Sequence, residues 1–336
     1  MNYYEQQILT PYKLFLARSF SRMTGTFRPR RNVNCPVDPQ NVKKILVLEH
    51  QCIGDVLMLE PVLSSLRSHY VHAELHLLCV ASVKELAERA GMADKVFAVG
   101  TETPFDISYD MIFNFHGDVR HIHFMRRFRT RYRCGFSFSG GARYLTHVTD
   151  YPYLKHQVER PFALLSVMGI PFERRIPELR VLRDNKKDPG CVLLHPGAEH
   201  PARRWPRSHW ETLTYLLQKD GKNVSWILPP GEYAPGNIAG IQGSLWEIAG
   251  QTARAEILVG SDSMAVHLAA ALGTPALALF GSQDPELTRP YGPLGHVITP
   301  PEACCHKHPD WRLCTACMAS IDPHTVLNGI RDILKK

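Results

Sequence analysis

The chain has 336 residues, 44% of them hydrophobic and 21% charged, and a formal charge of +7. That length and apolar content suit two domains of ordinary size with a sizeable core. The mild basic excess fits an anionic ligand or a membrane surface, but with 32 Asp and Glu it does not imply nucleic-acid binding. No apolar run approaches the ~20 residues that span a bilayer. Met1 to Gln7 is polar and no apolar stretch leads to a small-residue cleavage site, so no secretory signal is expected. Of the nine cysteines, five are scattered and four cluster at 304, 305, 314 and 317. This usage points to a reduced, cytoplasmic protein with one local cysteine site.

Residues 1–34 read as an N-terminal arm. Thr10 and Pro11 suit an N-cap and first helical position. Tyr12, Phe15, Leu16, Phe20 and Met23 then fall on one helical face, with Lys13, Arg18 and Arg22 off it and Arg28, Arg30 and Arg31 following. A basic amphipathic helix of this kind, within residues 10–31, lies on a membrane surface or packs on the protein's own body. A membrane contact would make the protein peripheral on the inner face of the inner membrane.

Lys43 to Glu49 has the pattern of a buried strand, followed by the turn His50 to Asp55 and a helix from Val56 to about His69. Leu75 to Val80 is predicted as a strand, Ser82 to Ala90 as a helix, and Lys95 to Val99 and Met111 to Phe115 as short strands. Residues 117–147 are rich in Arg, His and Gly, and His156 to Met168 reads as a helix stopped by Gly169. Arg183 to Pro189 is the expected linker. A second series follows: strand Cys191 to Leu194, a turn from His195, a helix from about Ser208 to Lys219 and a strand from Asn223 to Leu228. The run Ile257 to Phe280 completes it as a strand–helix–strand unit, and Val326 to Leu334 is a final helix that could pack back on the first domain. Alternating strands and helices predict an α/β fold with two doubly wound, Rossmann-like domains, 35–182 and 190–336, facing each other across a cleft.

Four turns carry candidate chemistry. Gly54 permits close backbone approach, and Asp55 stands where a helix begins, as a general base or simply as an N-cap. On this turn alone the cap is the simpler reading. The dinucleotide Gly-x-Gly-x-x-Gly spacing is absent, which disfavours a dehydrogenase. The loop His195 to Pro206 places Gly197, Ala198, Arg203 and Arg204 where a pyrophosphate could be held, or forms a basic surface loop. Asp262 and Ser263 precede a helix whose free N–H groups and dipole suit a phosphate. Glu232, in a Pro-Pro-Gly-Glu turn, could accept from ribose hydroxyls, and His267 on the phosphate helix reads more simply as a packed or capping residue.

In order, Ile53-Gly54-Asp55-Val56-Leu57, His195-Pro-Gly-Ala198, Arg-Arg-Trp-Pro206, Pro-Gly-Glu232, Asp262-Ser263, His267 to Pro275, Phe280-Gly281, Asp284-Pro285 and Cys317-Met318 resemble family 9 of the glycosyltransferases, the ADP-heptose:lipopolysaccharide heptosyltransferases. The resemblance spans residues 42–335. It implies a GT-B fold with the acceptor on the N-terminal domain and the nucleotide sugar on the C-terminal one. It implies an inverting, metal-independent transfer with no cofactor, and no clear Asp-x-Asp metal signature is present. By this resemblance Asp55 is the base. Arg203 stands at a diphosphate-neutralising lysine, and Asp262, Ser263, Met264 and His267 lie at the donor sugar-phosphate site. Glu232 contacts ribose approximately, and backbone near Gly243 holds the adenine edge. Met264 replaces the family's usual glycine, which suggests crowding at the donor and keeps open a non-catalytic or altered-specificity relative that binds a nucleotide sugar or anionic glycolipid.

Arg126, Arg127, Arg129 and Arg131 suit an anionic glycolipid acceptor of the Kdo-lipid A type, or form a solvated surface helix. Cys305, His308, Cys314 and Cys317 could ligate zinc or be packed thiols, the thiols being the simpler reading.

Overall fold

The computed structural model describes residues 36–137, 140–173, 175–182, 186–303, 312 and 314–335. The N-terminal arm, Arg183 to Asn185 of the expected linker, and Cys304, Cys305 and His308 lie outside them. The chain divides into two units, one ending at Arg175 and the other beginning at Ile176.

In the first unit the apolar run Lys44–Glu49 is strand β1, followed by helices α1 (Ile53–Met58) and α2 (Glu60–His69). The single helix predicted from Val56 starts three residues earlier and breaks at Leu59. Pro61 has no N–H to continue the ladder, so the chain restarts a helix there with proline in its first turn. Next come β2 (Glu74–Cys79), α3 (Ala81–Arg89), β3 (Lys95–Ala98) and β4 (Ser108–Asn114). The Arg- and His-rich stretch then holds α4 (Val119–Met125), β5 (Arg129–Phe136) and β6 (His147–Thr149), none of which the composition announced. Helix α5 (Arg160–Val167) closes the unit, starting four residues later than predicted, with Pro161 in its first turn. All six strands are parallel, in the order β3-β2-β1-β4-β5-β6. The residues Ile45 to Leu48 are buried because helices cover both faces of such a sheet.

The second unit runs β7 (Cys191–His195), α6 (Arg207–Lys219), β8 (Asn223–Ile227), β9 (Ala239–Ile241), α7 (Leu245–Arg254), β10 (Ile257–Ser261), α8 (Met264–Ala271), β11 (Ala276–Leu279), α9 (Pro285–Thr288), β12 (Gly295–Ile298), α10 (Ala316–Ala319) and α11 (Pro323–Leu334). Its parallel sheet has the order β12-β11-β10-β7-β8-β9. Counted from β7, this repeats the first unit's arrangement, and both are the doubly wound dinucleotide-type order. The predicted strand–helix–strand unit is therefore β10-α8-β11. Residues 176–182 belong with this unit, and the Leu179 N–H donates to the Ala271 carbonyl at 2.8 Å. The final helix α11 buries Val326, Leu327 and Ile330 in the second unit's own core, with Trp210, Leu213 and Leu217 of α6.

In each sheet the strand order reverses between two neighbours: β1 beside β4, and β7 beside β10. Crevices at the carboxyl ends of such strands are where open α/β sheets bind ligands. The predicted base follows β1, the His195 loop follows β7, and Asp262 follows β10.

Candidate active site

At the end of β1, Glu49 is buried, and the chain turns through His50 to Cys52 into α1. Cys52, not Asp55, holds the N-cap position of α1, so the simpler reading of Asp55 as a cap does not describe it. Asp55 is only 5% exposed. Its Oδ1 accepts a hydrogen bond from the Gln157 side-chain amide. Its Oδ2 has no hydrogen-bond partner among the described residues. An ionised carboxylate is expensive to bury half-satisfied, and burial accordingly pushes the Asp55 carboxyl up to about 7. The charge of Glu49 pushes the same way, while His116, Arg160 and the Gln157 hydrogen bond pull it back.

A cavity of about 20 Å³ adjoins these groups, lined by Glu49, Asp55, His116, Tyr151, Gln157 and Arg160 among others. It has room for one water or one hydroxyl. His116, just past β4, meets Glu49 through Nε2 and Oε1 at 2.7 Å. Burial opposes its charged form, but Glu49, Asp55 and Asp118 outweigh that and hold His116 above its ordinary value. Arg160 is almost wholly buried and pinned by the Lys155 carbonyl at 2.8 Å, the Tyr151 hydroxyl at 3.0 Å and the Tyr153 carbonyl at 3.1 Å. It supplies fixed positive charge beside the cavity. None of Glu49, His116, Tyr151, Gln157 and Arg160 stood out in the sequence. For Glu49 and His116 a signal existed: a polar residue just at or past the carboxyl end of an apolar strand.

The second unit gathers a different set. His195, the last residue of β7, is half-buried, and its Nδ1 lies 3.1 Å from Ser263 Oγ. Gly197 allows this, since a side chain there would begin 3.2 Å from the His195 ring. The loop then forms a short 3-10 turn, Pro201–Arg203, capped by His200. The two adjacent arginines separate. Arg204 is exposed and folds back on its own loop, donating to the Ala198 carbonyl at 2.8 Å. Arg203 is only 8% exposed, with its Nε 3.7 Å from Asp262 Oδ2 and its Nη1 donating to the Asp262 carbonyl at 3.4 Å. Burial raises the Asp262 carboxyl, against the pull of Arg203 and the nearby Thr288 and Gln283 side chains. His267 Nε2 stands 3.9 Å from Asp262 Oδ1, but burial, reinforced by Arg203, lowers His267 to about 4. At neutral pH this contact is therefore not an ion pair.

Ser263 occupies the N-cap position of α8 in extended conformation, with no bond from its hydroxyl to the helix. It leaves the first-turn N–H groups for another acceptor. Met264 is the first residue of α8 and half-buried. Gly243 precedes the Ser244–Glu247 capping box of α7, and a side chain at Gly243 would meet the Glu247 carboxylate at 2.3 Å. Glu232 is exposed on its turn, which the Gln242 amide braces through the Pro229 and Glu232 carbonyls. The structure thus brings together Gly197, Arg203, Asp262, Ser263, Met264 and His267, and leaves Glu232 and Gly243 on the β8–α7 side.

Arg126 and Arg127 follow α4, whereas Arg129 and Arg131 lie on strand β5, so the stretch is not one surface helix. All four are exposed. Arg126 stacks on Tyr144 at 4.1 Å and Arg127 on Phe105 at 4.1 Å. The sulfurs of Cys314 and Cys317 lie 3.2 Å apart. Among the described residues no group of three His, Cys, Asp or Glu is arranged to hold a metal ion, and Cys305 and His308 lie outside them.

Two units with the same doubly wound order, each with buried polar residues at its switch point, define a two-domain Rossmann-like α/β protein. The model of glycosyltransferase family 9 (heptosyltransferase) matches residues 106–310. The chain belongs to that family and is a glycosyltransferase. It is 24% identical over 306 residues to lipopolysaccharide heptosyltransferase 2 of Escherichia coli K12, covering 76% of this chain and 87% of the relative. Among solved structures it is similar to E. coli ADP-heptose lps heptosyltransferase II, with a TM-score of 0.71 and 21% identity over 87% of this chain and 98% of that one. E. coli heptosyltransferase WaaC with ADP gives a TM-score of 0.71 and 17% identity over 86% of this chain and 99% of that one. At these identities the solved structures speak for the fold.

Proposed function

We propose that the protein transfers a heptose from ADP-heptose to the inner core of lipopolysaccharide, with inversion and without a metal. The observation that carries the mechanism is Asp55: buried, held at one oxygen by Gln157, and open at the other beside a hydroxyl-sized cavity. Support for the donor and acceptor class comes from the relatives, one a lipopolysaccharide heptosyltransferase and one solved with ADP.

In this reading Asp55 Oδ2 takes the proton of an acceptor hydroxyl. The oxygen's electron pair forms a bond to the anomeric carbon from the face opposite the diphosphate. The anomeric C–O bond breaks, and ADP leaves with its electron pair. A base near neutrality suits this step, since it is ionised enough to act yet basic enough to accept. Arg203 neutralises the departing diphosphate, and the open N–H groups of α8 bind its phosphate oxygens. Ser263 and His267 contact the sugar-phosphate, with Gly54, Gly197, Ala198 and Met264 lining the donor. The turn carrying Glu232 receives the ribose and backbone at Gly243 the adenine. The exposed arginines 126, 127, 129 and 131 attract an anionic glycolipid of the Kdo-lipid A type. The protein works in the cytoplasm, at the inner face of the inner membrane, and residues 10–31 rest on that surface.

A thermal-shift series with nucleotide sugars tests the donor. Stabilisation by ADP-sugars over UDP- and GDP-sugars is expected. Equal or absent stabilisation would reject the donor and favour a relative with altered specificity.

A further inference from the structure

Asp55 does not stand alone in its pocket. Glu49, at the carboxyl end of β1, lines the same small cavity, so two buried carboxylates share one site. Two like charges in a desolvated site cannot both ionise unless something offsets them. His116 is the group placed to do so. It comes from the segment after β4, lines the same cavity, and contacts Glu49 at 2.7 Å. Its backbone N–H is fixed by the Asn114 side chain at 3.0 Å. Behind it, the His121 ring stacks at 4.8 Å and the His50 ring follows at 4.9 Å from His121. Burial lowers both of those imidazoles, whereas His116, beside Glu49, is raised. Of these three imidazoles, His116 is the one in contact with a carboxylate and the one that is raised.

We propose that Glu49 and His116 are positioning residues for Asp55: the His116 imidazolium balances Glu49, so that Asp55 can be an anion inside a small pocket that already holds a carboxylate. This rests on the reading of Asp55 as base. The other groups around Asp55 are Arg160, Tyr151 and Gln157 from the α5 side, and Asp118 beside His116. Arg160 is held by two loop carbonyls and the Tyr151 hydroxyl and adds a second positive charge, but His116 pulls the Asp55 carboxyl down more than Arg160 does. Asp118 is paired with Arg120 at 2.7 Å.

The test is the pH profile of kcat/KM. Its acidic limb in the unaltered enzyme is expected near the Asp55 value, about 7. His116→Gln keeps a hydrogen-bond donor toward Glu49 but removes the cation. It should move that limb up by about 1 pH unit, so activity below the limb falls about tenfold while the alkaline plateau stays near wild type. A merely structural role would lower the plateau and leave the limb in place, which overturns the proposal. Glu49→Gln/His116→Gln removes both charges and should return the limb to within about half a unit of wild type. A limb still displaced by a full unit overturns the cancellation, and this arm suffices where the single variant does not fold. Asp55→Asn separates the two readings. If Asp55→Asn retains transfer, the base assignment fails. If it is inactive and His116→Gln leaves the limb unmoved, only the pairing fails.

Discussion

The loop after the first strand meets the segment after the fourth in both units, β1 with β4 and β7 with β10, yet the charged groups gathered at the two places differ. In the first unit the switch point holds Asp55 and Glu49 with His116, and burial has raised a carboxyl toward neutrality. In the second it holds His195, His267, Arg203 and Asp262, and burial has driven both imidazoles down to about 4. In the proposed mechanism one scaffold presents the proton acceptor, and its repeat presents the fixed cation with open helix N–H groups. The difference lies in which polar residues end the strands, not in the strand order. The proposed transfer uses both: a base that changes protonation, and a phosphate site that does not.

The sharpest way to break this contrast is Asp55→Ala. It should lower transfer by a factor of ~10²–10⁴ while calorimetry shows ADP affinity near wild type. Full activity in the variant would remove the first unit's chemical role. Next is Arg203→Ala, which should weaken ADP binding about 10–100-fold, as expected for losing a charged hydrogen-bond donor. It also leaves Asp262 without its nearest cation. Unchanged affinity by calorimetry would reject the phosphate role.

The third prediction sets the two units against each other with pH. Asp55 is raised from 3.8 to about 7 in the folded state, so its contribution to stability is complete below 3.8 and is lost as pH rises through about 7. His195 and His267 are lowered from 6.5 to about 4, so theirs is complete above 6.5 and is lost as pH falls through about 4. Each is worth on the order of 3 kcal/mol. Amide exchange, corrected for intrinsic rates, should show protection of β7 and β10 falling from pH 6.5 towards 4. Asp55→Asn should remove the part of the first unit's response near pH 7, and His267→Gln should flatten the second unit's response. An unchanged profile in either variant would end the comparison.

The smallest effect is expected from Met264→Gly. Glycine at the start of α8 costs up to about 1 kcal/mol of helix stability, and opening the turn should change the donor KM by only a few-fold. A large gain in activity would mean that Met264 is what restrains this enzyme.

Much of the fold was readable in the chain order. The buried strands β1, β2, β7 and β10 are short β-branched and leucine-rich runs bounded by Gly or polar turns, a pattern set by local chemistry. Where it failed, a competing effect was at work. Strand β5 alternates arginine with other residues because its arginines 129 and 131 are exposed on a strand that is half solvated, and β6 is only three residues long. Proline at 61 and 161 moved helix boundaries that periodicity alone had smoothed over. At the site, the turns carrying Asp55, Arg203 and Asp262 were legible because each follows a strand and begins a helix or 3-10 turn. The adjacent arginines were indistinguishable by type, and only packing buried Arg203 and turned Arg204 outward.

The sequence by itself determined two α/β series, their glycine turns, and the family they belong to, since these depend on residues close together in the chain. Only the tertiary structure decided that Asp55 is braced by Gln157, 102 positions away, and that Glu49 is answered by His116, 67 positions away. The reason is physical: a carboxylate becomes a base or a cap according to its burial and its charged neighbours, and parallel-sheet crossovers bring those neighbours from distant parts of the chain.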